Sequence, residues 1–317
     1  MKISRRGLIG GSLAMAASGC IPPDQSPIGR LSAQLRLIEA GTLESTGGTL
    51  GVEIFEPATG MAIGINRDAR FGHASSFKFS LAAMLLARHA IGALDADRRV
   101  MWSEADLMHV SPFTTTRLAQ GATLRELAEF TQKYSDNAAA NILLRELGGP
   151  PALTAFWRSI GDDVSRLDRT EPALNNVPVT EYRDTTTPHA MARSVAAIAY
   201  GDVLPPAERA MLKQWMIDTP TGERRVRAGL PDKDWIAGDK TGTSIWPGIP
   251  SLYVDIGFAE APKGRAPISF AAYFRARETH TGMDPMAEQT LMRVGRVIRE
   301  FAERDKRIPF PNMFRQV

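Results

Sequence analysis

The sequence predicts an α+β fold: an antiparallel sheet flanked by helices and built from both chain ends, with an all-α region inserted between them. β-type runs occur near both ends, an amphipathic helix pattern accompanies them at each end, and the long middle is mainly helical in period. With 317 residues, 44% of them hydrophobic, the chain has material for a large core in one domain or two.

At the N-terminus, Lys2, Arg5 and Arg6 precede a short apolar stretch over residues 7–17, too short to span a bilayer. Residues 1–20 read as an export signal, and Ser4-Arg5-Arg6-Gly7-Leu8-Ile9 resembles its twin-arginine form. Ala17-Ser18-Gly19 before Cys20 is similar to a bacterial lipobox, with Ala17 where Leu is usual, which would make Cys20 a lipid anchor to the membrane. Residues 21–27 carry three prolines and read as a tether. The expected location is therefore exported and periplasmic, with lipid anchoring through Cys20 as an option. Next, Ile28, Leu31, Leu35 and Ile38 mark one face of a helix over residues 28–43. Two β-type runs, 49–55 and 61–65, flank Glu56-Pro57-Ala58-Thr59-Gly60, whose Pro and Gly predict a hairpin turn.

From Ser75 to about Trp215 the period is helical, and Thr123-Leu124-Arg125-Glu126 fits a capping box at a helix start. Strand patterns return over 252–259 and 268–275, and Pro285 opens a terminal helix to about Phe301. The expected division is an α/β domain from residues 28–73 and 220–317 and an all-α domain over 74–219.

Charge excludes one class of partner. Of the 38 Lys and Arg, three lie in the N-terminal stretch, so the remaining 35 equal the 35 Asp and Glu. A nucleic-acid binder would show a basic body or stripe, and none is expected here. Cys20 is the single cysteine, so one chain holds no internal disulfide. Five histidines are scattered, with His73 and His89 lacking a metal-binding spacing, so neither metal nor cofactor is expected.

Four short motifs carry chemistry. In Ser75-Ser76-Phe77-Lys78 the hydroxyl and the amine are three residues apart, which places them on one face at a helix start, where free N–H groups favour developing negative charge. Lys78 is the only charge from Phe77 through Ala87, so it is expected in the core, where an ammonium needs partners. Tyr134-Ser135-Asp136-Asn137 offers a hydroxyl and an amide, although Ser-Asp-Asn is most often a turn and helix cap. Arg169-Thr170-Glu171-Pro172-Ala173-Leu174-Asn175 offers a carboxylate, and Asp239-Lys240-Thr241-Gly242-Thr243 an amine and hydroxyls. Taken singly, the last two read as a solvated loop acid and a strand end with a turn.

In this order, in an exported chain of this length, the motifs resemble the class A serine β-lactamases, whose signature with the related penicillin-binding proteins is Ser-X-X-Lys, Ser-Asp-Asn and Lys-Thr-Gly. The resemblance spans roughly residue 28 to the C-terminal helix. It implies a β-lactamase and transpeptidase-like fold and hydrolysis of penicillin- and cephalosporin-type antibiotics through a serine acyl-enzyme. By resemblance Ser75 is the nucleophile, Lys78 its partner, Ser135 the proton relay to the β-lactam nitrogen and Glu171 the base that activates a deacylating water. Asn137, Asn175, Lys240, Thr241, Gly242 and Thr243 would bind substrate, with the N–H groups of Ser75 and Thr243 as oxyanion hole. Either Lys78 or Glu171 can accept the serine proton during acylation, and the sequence leaves both open. Arg225, within Glu223-Arg224-Arg225-Val226-Arg227, supplies a second cation for the substrate carboxylate or lies on a solvated face. Arg169 and Asp184 match the ion pair that closes the family's omega loop, and Glu171-Pro172 is a place where a cis bond is accessible. The expected partner is a small β-lactam and the expected state a monomer.

The related D-alanyl-D-alanine carboxypeptidases and silent penicillin-binding proteins of the same fold are the alternative, and Glu171 with Asn175 argues against them. Three departures bear on substrate range. Ala74 and Ser244 replace the cysteines of some carbapenem-hydrolysing members, Val110 stands where an aromatic often walls the site, and Ser244-Ile245-Trp246-Pro247-Gly248 replaces a more polar turn. Trp246 either lines the pocket or packs beneath the sheet edge, with packing the expectation.

Overall fold

Helix α1 (Pro27–Thr46) begins where Ser26 accepts a hydrogen bond from the Gly29 N–H at 3.0 Å, with Pro27 supplying a preset φ, and it stops at Gly47 in the left-handed conformation. The computed structural model describes Asp24, residues 26–231 and residues 233–304. The export and lipid readings, including Cys20, lie outside the described residues.

The hairpin appears as expected. Strand β1 (Thr49–Glu56) pairs antiparallel with β2 (Met61–Ile65), and Gly60 turns the chain with its N–H on Glu56 O at 2.9 Å. Strands β3 (Ile236–Ser244), β4 (Leu252–Glu260) and β5 (Ile268–Arg275) complete one antiparallel sheet in the order β2-β1-β5-β4-β3. The two chain ends meet inside it, in the β1–β5 register from Thr49 opposite Arg275 to Phe55 opposite Ser269. Strand β3 is the one the periodicity did not mark, because Gly238, Asp239, Lys240 and Gly242 break any alternation.

Both faces of the sheet are covered, which is why β4 and β5 read as nearly continuous apolar runs. Phe270, Ala272 and Phe274 of β5 pack with Leu31, Leu35 and Leu291 from α1 and from α8 (Pro285–Glu303). Their neighbours Ala271 and Tyr273 face a second core, formed with the helical middle.

That middle holds α2 (Phe77–Ala90), α3 (Leu124–Tyr134), α4 (Asn137–Glu146), α5 (Gly149–Ser159), α6 (Pro188–Tyr200) and α7 (Pro206–Ile217). Helix α2 is buried continuously from Phe77 to Leu86, and α3 starts with the expected capping box between Thr123 and Glu126. Helix does not fill the whole middle. Residues 91–123 and 160–187 run as turns, short 3-10 pieces and two-residue strand pairings, and Asp side chains serve part of their backbone in place of a helix ladder: Asp136, from the cap of α4, accepts from Phe113 N and Thr114 N, and Asp162 from Val164 N and Ser165 N.

Helix α8 approaches the 3-10 turn Val226–Gly229 so closely that a Cβ on Gly295 would lie 2.0 Å from Val226 O. Gly295→Ala is expected to lower the unfolding free energy by about 1–3 kcal/mol in chemical denaturation. Gly41→Ala on α1, where no atom lies within 4 Å of the added Cβ, is expected to raise it by about 0.5–1 kcal/mol.

Candidate active site

Ser75 occupies a 3-10 turn, Ala74–Ser76, and α2 proper begins at Phe77. It therefore stands one turn ahead of the α-helix rather than inside its first turn, with Ala74 in the left-handed region at φ 44°. The Ser76 hydroxyl and N–H both bond His73 O, at 2.8 and 3.0 Å, and lock the turn. Strand β3 lies directly against it. A Cβ on Gly242 would be 3.0 Å from both His73 O and Ser75 N, tighter than a side chain normally meets, so glycine eases the close approach of the strand backbone to the Ser75 amide.

Lys78 is fully buried, as its apolar surroundings in the sequence predict. Its ammonium donates to Ser75 Oγ and to Ser135 O, each at 2.9 Å, and to Asn137 Oδ1, and lies 3.3 Å from Ser135 Oγ and 3.1 Å from Glu171 Oε1. Burial pushes the amine below its ordinary value, and the Glu171 carboxylate opposes that shift.

The Ser-Asp-Asn segment divides its work. Asp136 is the helix cap that such sequences usually provide, accepting from Ala139 N at 2.8 Å and holding Thr114 Oγ1. Ser135 sits at φ 61° at the end of α3, which turns its Oγ between two amines: Lys240 Nζ also lies 3.3 Å from it. Asn137 Nδ2 donates to His109 O at 2.9 Å. Lys240 is buried like Lys78, and burial together with the nearby Lys78 charge pushes its amine well down. Thr241 Oγ1 meets Thr221 Oγ1 at 2.7 Å.

Glu171 is placed from three sides. Asn175 Nδ2 donates to Glu171 Oε2 at 2.7 Å, and Asn141 clamps its backbone, accepting from Glu171 N at 3.0 Å and donating to Glu171 O at 2.8 Å. The Glu171-Pro172 peptide is cis. Arg169 pairs with buried Asp184, which also accepts from the N–H groups of Asp168 and Arg169 at 2.8 and 2.9 Å. Glu171 Oε1, beyond its ion pair with Lys78, has no aligned hydrogen-bond donor.

A cleft of about 810 Å³ opens over this floor, lined by Ser75, Ser135, Asn137, Glu171, Asn175, Arg225, Thr241, Gly242 and Thr243, with the two lysines beneath. Residues 30–302 match the model of the β-lactamase enzyme family. The chain belongs to the class A β-lactamases. It is 45% identical to β-lactamase FAR-1 of Nocardia farcinica over 62% of each chain, so the match spans somewhat under two thirds of that relative. It is 41% identical to the carbapenem-hydrolysing β-lactamase KPC of Klebsiella oxytoca, over 73% of this chain and 77% of that one. Its structure is similar to that of an ancestral GNCA class A β-lactamase, with a TM-score of 0.78 and 44% identity over 86% of this chain and 99% of the other.

Within this β-lactamase, the three neighbouring arginines part company. Arg224 is exposed and meets Glu288, Arg227 pairs with buried Asp239, and Arg225 turns into the site. The solvated-face reading of Arg225 is thereby corrected: its guanidinium donates to Gly242 O at 2.8 Å, Val254 O at 2.7 Å and Thr243 Oγ1 at 2.6 Å. Trp246 is likewise not packed beneath the sheet; it is half-buried and lines the cleft, because the turn after Ser244 leaves the sheet edge toward the site. Asn141 and Thr221 escaped the sequence reading. Asn141 carried a faint signal, standing four residues after Asn137 on an otherwise apolar helix, whereas Thr221 carried none. His89, Asp95 and Asp97 come close enough together to suggest a cation site, but Arg125 already bonds Asp97 and His89 Nε2 there.

His73, two residues before Ser75, is fully buried and stacked on Trp157 at 4.8 Å, and neither ring nitrogen has an aligned partner. Burial lowers it from 6.5 to about 4. The folded state therefore binds the proton later than the unfolded chain, so its contribution is complete above pH 6.5 and drains away as pH falls toward 4. The loss is expected to be on the order of 3 kcal/mol, and denaturation curves of His73→Phe should lack this part of the slope. An unchanged pH dependence in that variant would refute the assignment.

Proposed function

We propose that this class A β-lactamase hydrolyses penicillin- and cephalosporin-type antibiotics through an acyl-enzyme on Ser75 and so confers antibiotic resistance. The observation that carries the reading is the chain of contacts Ser75 Oγ, Lys78 Nζ, Glu171 Oε1, at 2.9 and 3.1 Å. Acyl transfer needs a nucleophile, a proton acceptor, charge stabilisation at the carbonyl oxygen and a proton for the leaving nitrogen. As Ser75 Oγ bonds to the lactam carbon, its proton goes to Lys78 or to Glu171 beyond it, and with Glu171 removed the depressed amine of Lys78, in contact with Ser75 Oγ, still accepts it. Ser135 Oγ, between Lys78 and Lys240, delivers a proton to the nitrogen as the C–N bond breaks.

The N–H groups of Ser75 and Thr243 hold the oxyanion, a role supported by the close approach of the Gly242 backbone to the Ser75 amide. Arg225, Lys240, Thr241 and Thr243 receive the substrate carboxylate, and Asn137 and Asn175 the side-chain amide. Deacylation requires a base near the ester. Glu171 fits it, since Asn175 and Asn141 fix the carboxylate beside the Lys78 ammonium that touches Ser75. This is also the reason to prefer a β-lactamase over a carboxypeptidase of the same fold. Arg169 and Asp184 close the omega loop that presents Glu171. The cleft draws its lining from both expected domains, Thr241, Gly242 and Thr243 from the α/β one and Ser75, Ser135, Asn137 and Glu171 from the all-α one. Residues 1–20 are read as the signal that exports the protein to the periplasm, with lipid anchoring at Cys20 as an option, and no described helix is long and apolar enough to cross a membrane.

Purified mature protein is expected to hydrolyse nitrocefin, and Ser75→Ala to lose roughly 10⁴-fold or more in rate; equal turnover by the two would overturn the proposal. Glu171→Ala is expected to acylate and then stall, so that intact mass spectrometry finds a benzylpenicillin adduct that is absent in Ser75→Ala. Absence of any adduct in Glu171→Ala would remove Glu171 from the deacylation step.

A further inference from the structure

The buried face of α3 carries Leu124, Leu127, Ala128 and Thr131 together with an amide, Gln132, that is fully buried. Its Nε2 donates to Asp239 O at 2.8 Å and to Thr219 Oγ1 at 3.1 Å, and Thr219 Oγ1 donates in turn to Trp215 O at 2.8 Å. Both partners of Nε2 are acceptors, which fixes the orientation of the amide. Gln132 Oε1 has no donor among the described residues, so what this side chain adds over an apolar one lies in the two bonds from Nε2.

Strand β3 is the last strand of the sheet, and the edge it turns away from β4 has no strand to satisfy it. Along an antiparallel strand the N–H and C=O of every second residue point to the same edge. On the open edge, Asp239 O takes the Gln132 amide and Thr241 O takes Lys240 Nζ at 2.8 Å. Gln132 is therefore a rung between the helical region and this edge. Ser135 lies three residues beyond it, and Lys240 directly follows Asp239, so the rung stands beside the 3.3 Å contact of Ser135 Oγ with Lys240 Nζ. Its second arm holds Thr219, which leads into the turn Pro220–Gly222. That turn packs so closely on β3 that a Cβ on Gly222 would lie 1.8 Å from Asp239 Oδ2. Further along β3, Thr243 is held separately, by Arg225 and by its register with β4.

We propose that Gln132 is a positioning residue for acylation: by tying the last turn of α3 to the open edge of β3 at Asp239, it sets the distance between Ser135 Oγ and Lys240 Nζ. The proposal rests on the acyl-enzyme reading, in which this pair delivers the proton to the leaving nitrogen and receives the substrate carboxylate. Deacylation draws on a different support, since Glu171 is held by Asn141 and Asn175.

Gln132→Met keeps the length of the side chain and removes both bonds. Quenched-flow mass spectrometry with benzylpenicillin reads acylation as the rise of the Ser75 adduct and deacylation as its decay. Gln132→Met is expected to acylate about tenfold more slowly and to deacylate within about twofold of the wild-type rate.

Gln132→Glu keeps the native shape and decides the matter if Gln132→Met does not fold. When neutral, its carboxyl can donate to Asp239 O as the amide does; when ionised, it offers a carbonyl only acceptors. The charged groups on the surrounding elements are Asp239 and Lys240 of β3, Arg227, which pairs with Asp239 and binds Thr219 O, and Lys133 of α3, which pairs with Glu129 and Asp218. Burial favours the neutral carboxyl, so kcat/KM relative to wild type, per folded enzyme, is expected to be near unity at about pH 5 and to fall about tenfold by about pH 9.

Wild-type acylation in Gln132→Met, an equal loss in its acylation and deacylation, or a Gln132→Glu ratio that does not change with pH overturns the positioning role and leaves the acyl-enzyme reading intact. A wild type that neither forms an adduct nor hydrolyses benzylpenicillin overturns that reading and the role with it.

Discussion

A fully buried ammonium is the constraint around which this site is arranged. Lys78 has left water, and its positive charge is tolerable only because Ser75, Ser135, Asn137 and Glu171 converge on it from three separate parts of the chain. Removing one partner from such a group typically costs about 3–5 kcal/mol, so the network specifies a unique arrangement more than it adds stability. The same group of contacts sets the electrostatics. Two amines, Lys78 and Lys240, are each held below their ordinary values by burial, and they share one hydroxyl.

Holding those partners in place explains much of the irregular structure. Ala74, Ser135, Val110 and Asp184 all adopt positive φ, and each lies in or beside the segments that converge on Lys78 or on the Glu171 segment. Such conformations persist where surrounding contacts over-determine them. Asp136 and Asp184 do so here, each accepting several N–H groups that would otherwise be unpaired. The long non-helical stretches of the middle region are thus the supports of the site, and the six helices around them are its frame.

Much of the fold was legible in the sequence. The hairpin and the two late strands read as β-type runs and the terminal helices carry helical periods, because one or both faces pack into apolar cores, and their bounds agree with the structure to within a few residues. Strand β3 was not legible by pattern. It lines the cleft, so its residues are chosen for contact with Ser135, Thr221 and the Ser75 turn rather than for a pleated apolar face. Asn141 was missed for a related reason: a single amide on a helix has no periodic signature, and its purpose appears only when residue 171 is brought against it.

The motif order pointed to the reaction class through its resemblance to the class A β-lactamases, and a hydroxyl and an amine three residues apart, a second hydroxyl and amide, a carboxylate and Lys-Thr-Gly fit what an acyl transfer and its hydrolysis need. Only the tertiary structure decided which of three arginines turns inward, that Trp246 faces the cleft rather than the core, and that the Asp of Ser-Asp-Asn is a cap while its neighbours face the site. The physical reason is range. Local spacing fixes which groups share a turn or a face, whereas burial, charge partners and the direction of a side chain depend on elements a hundred residues away.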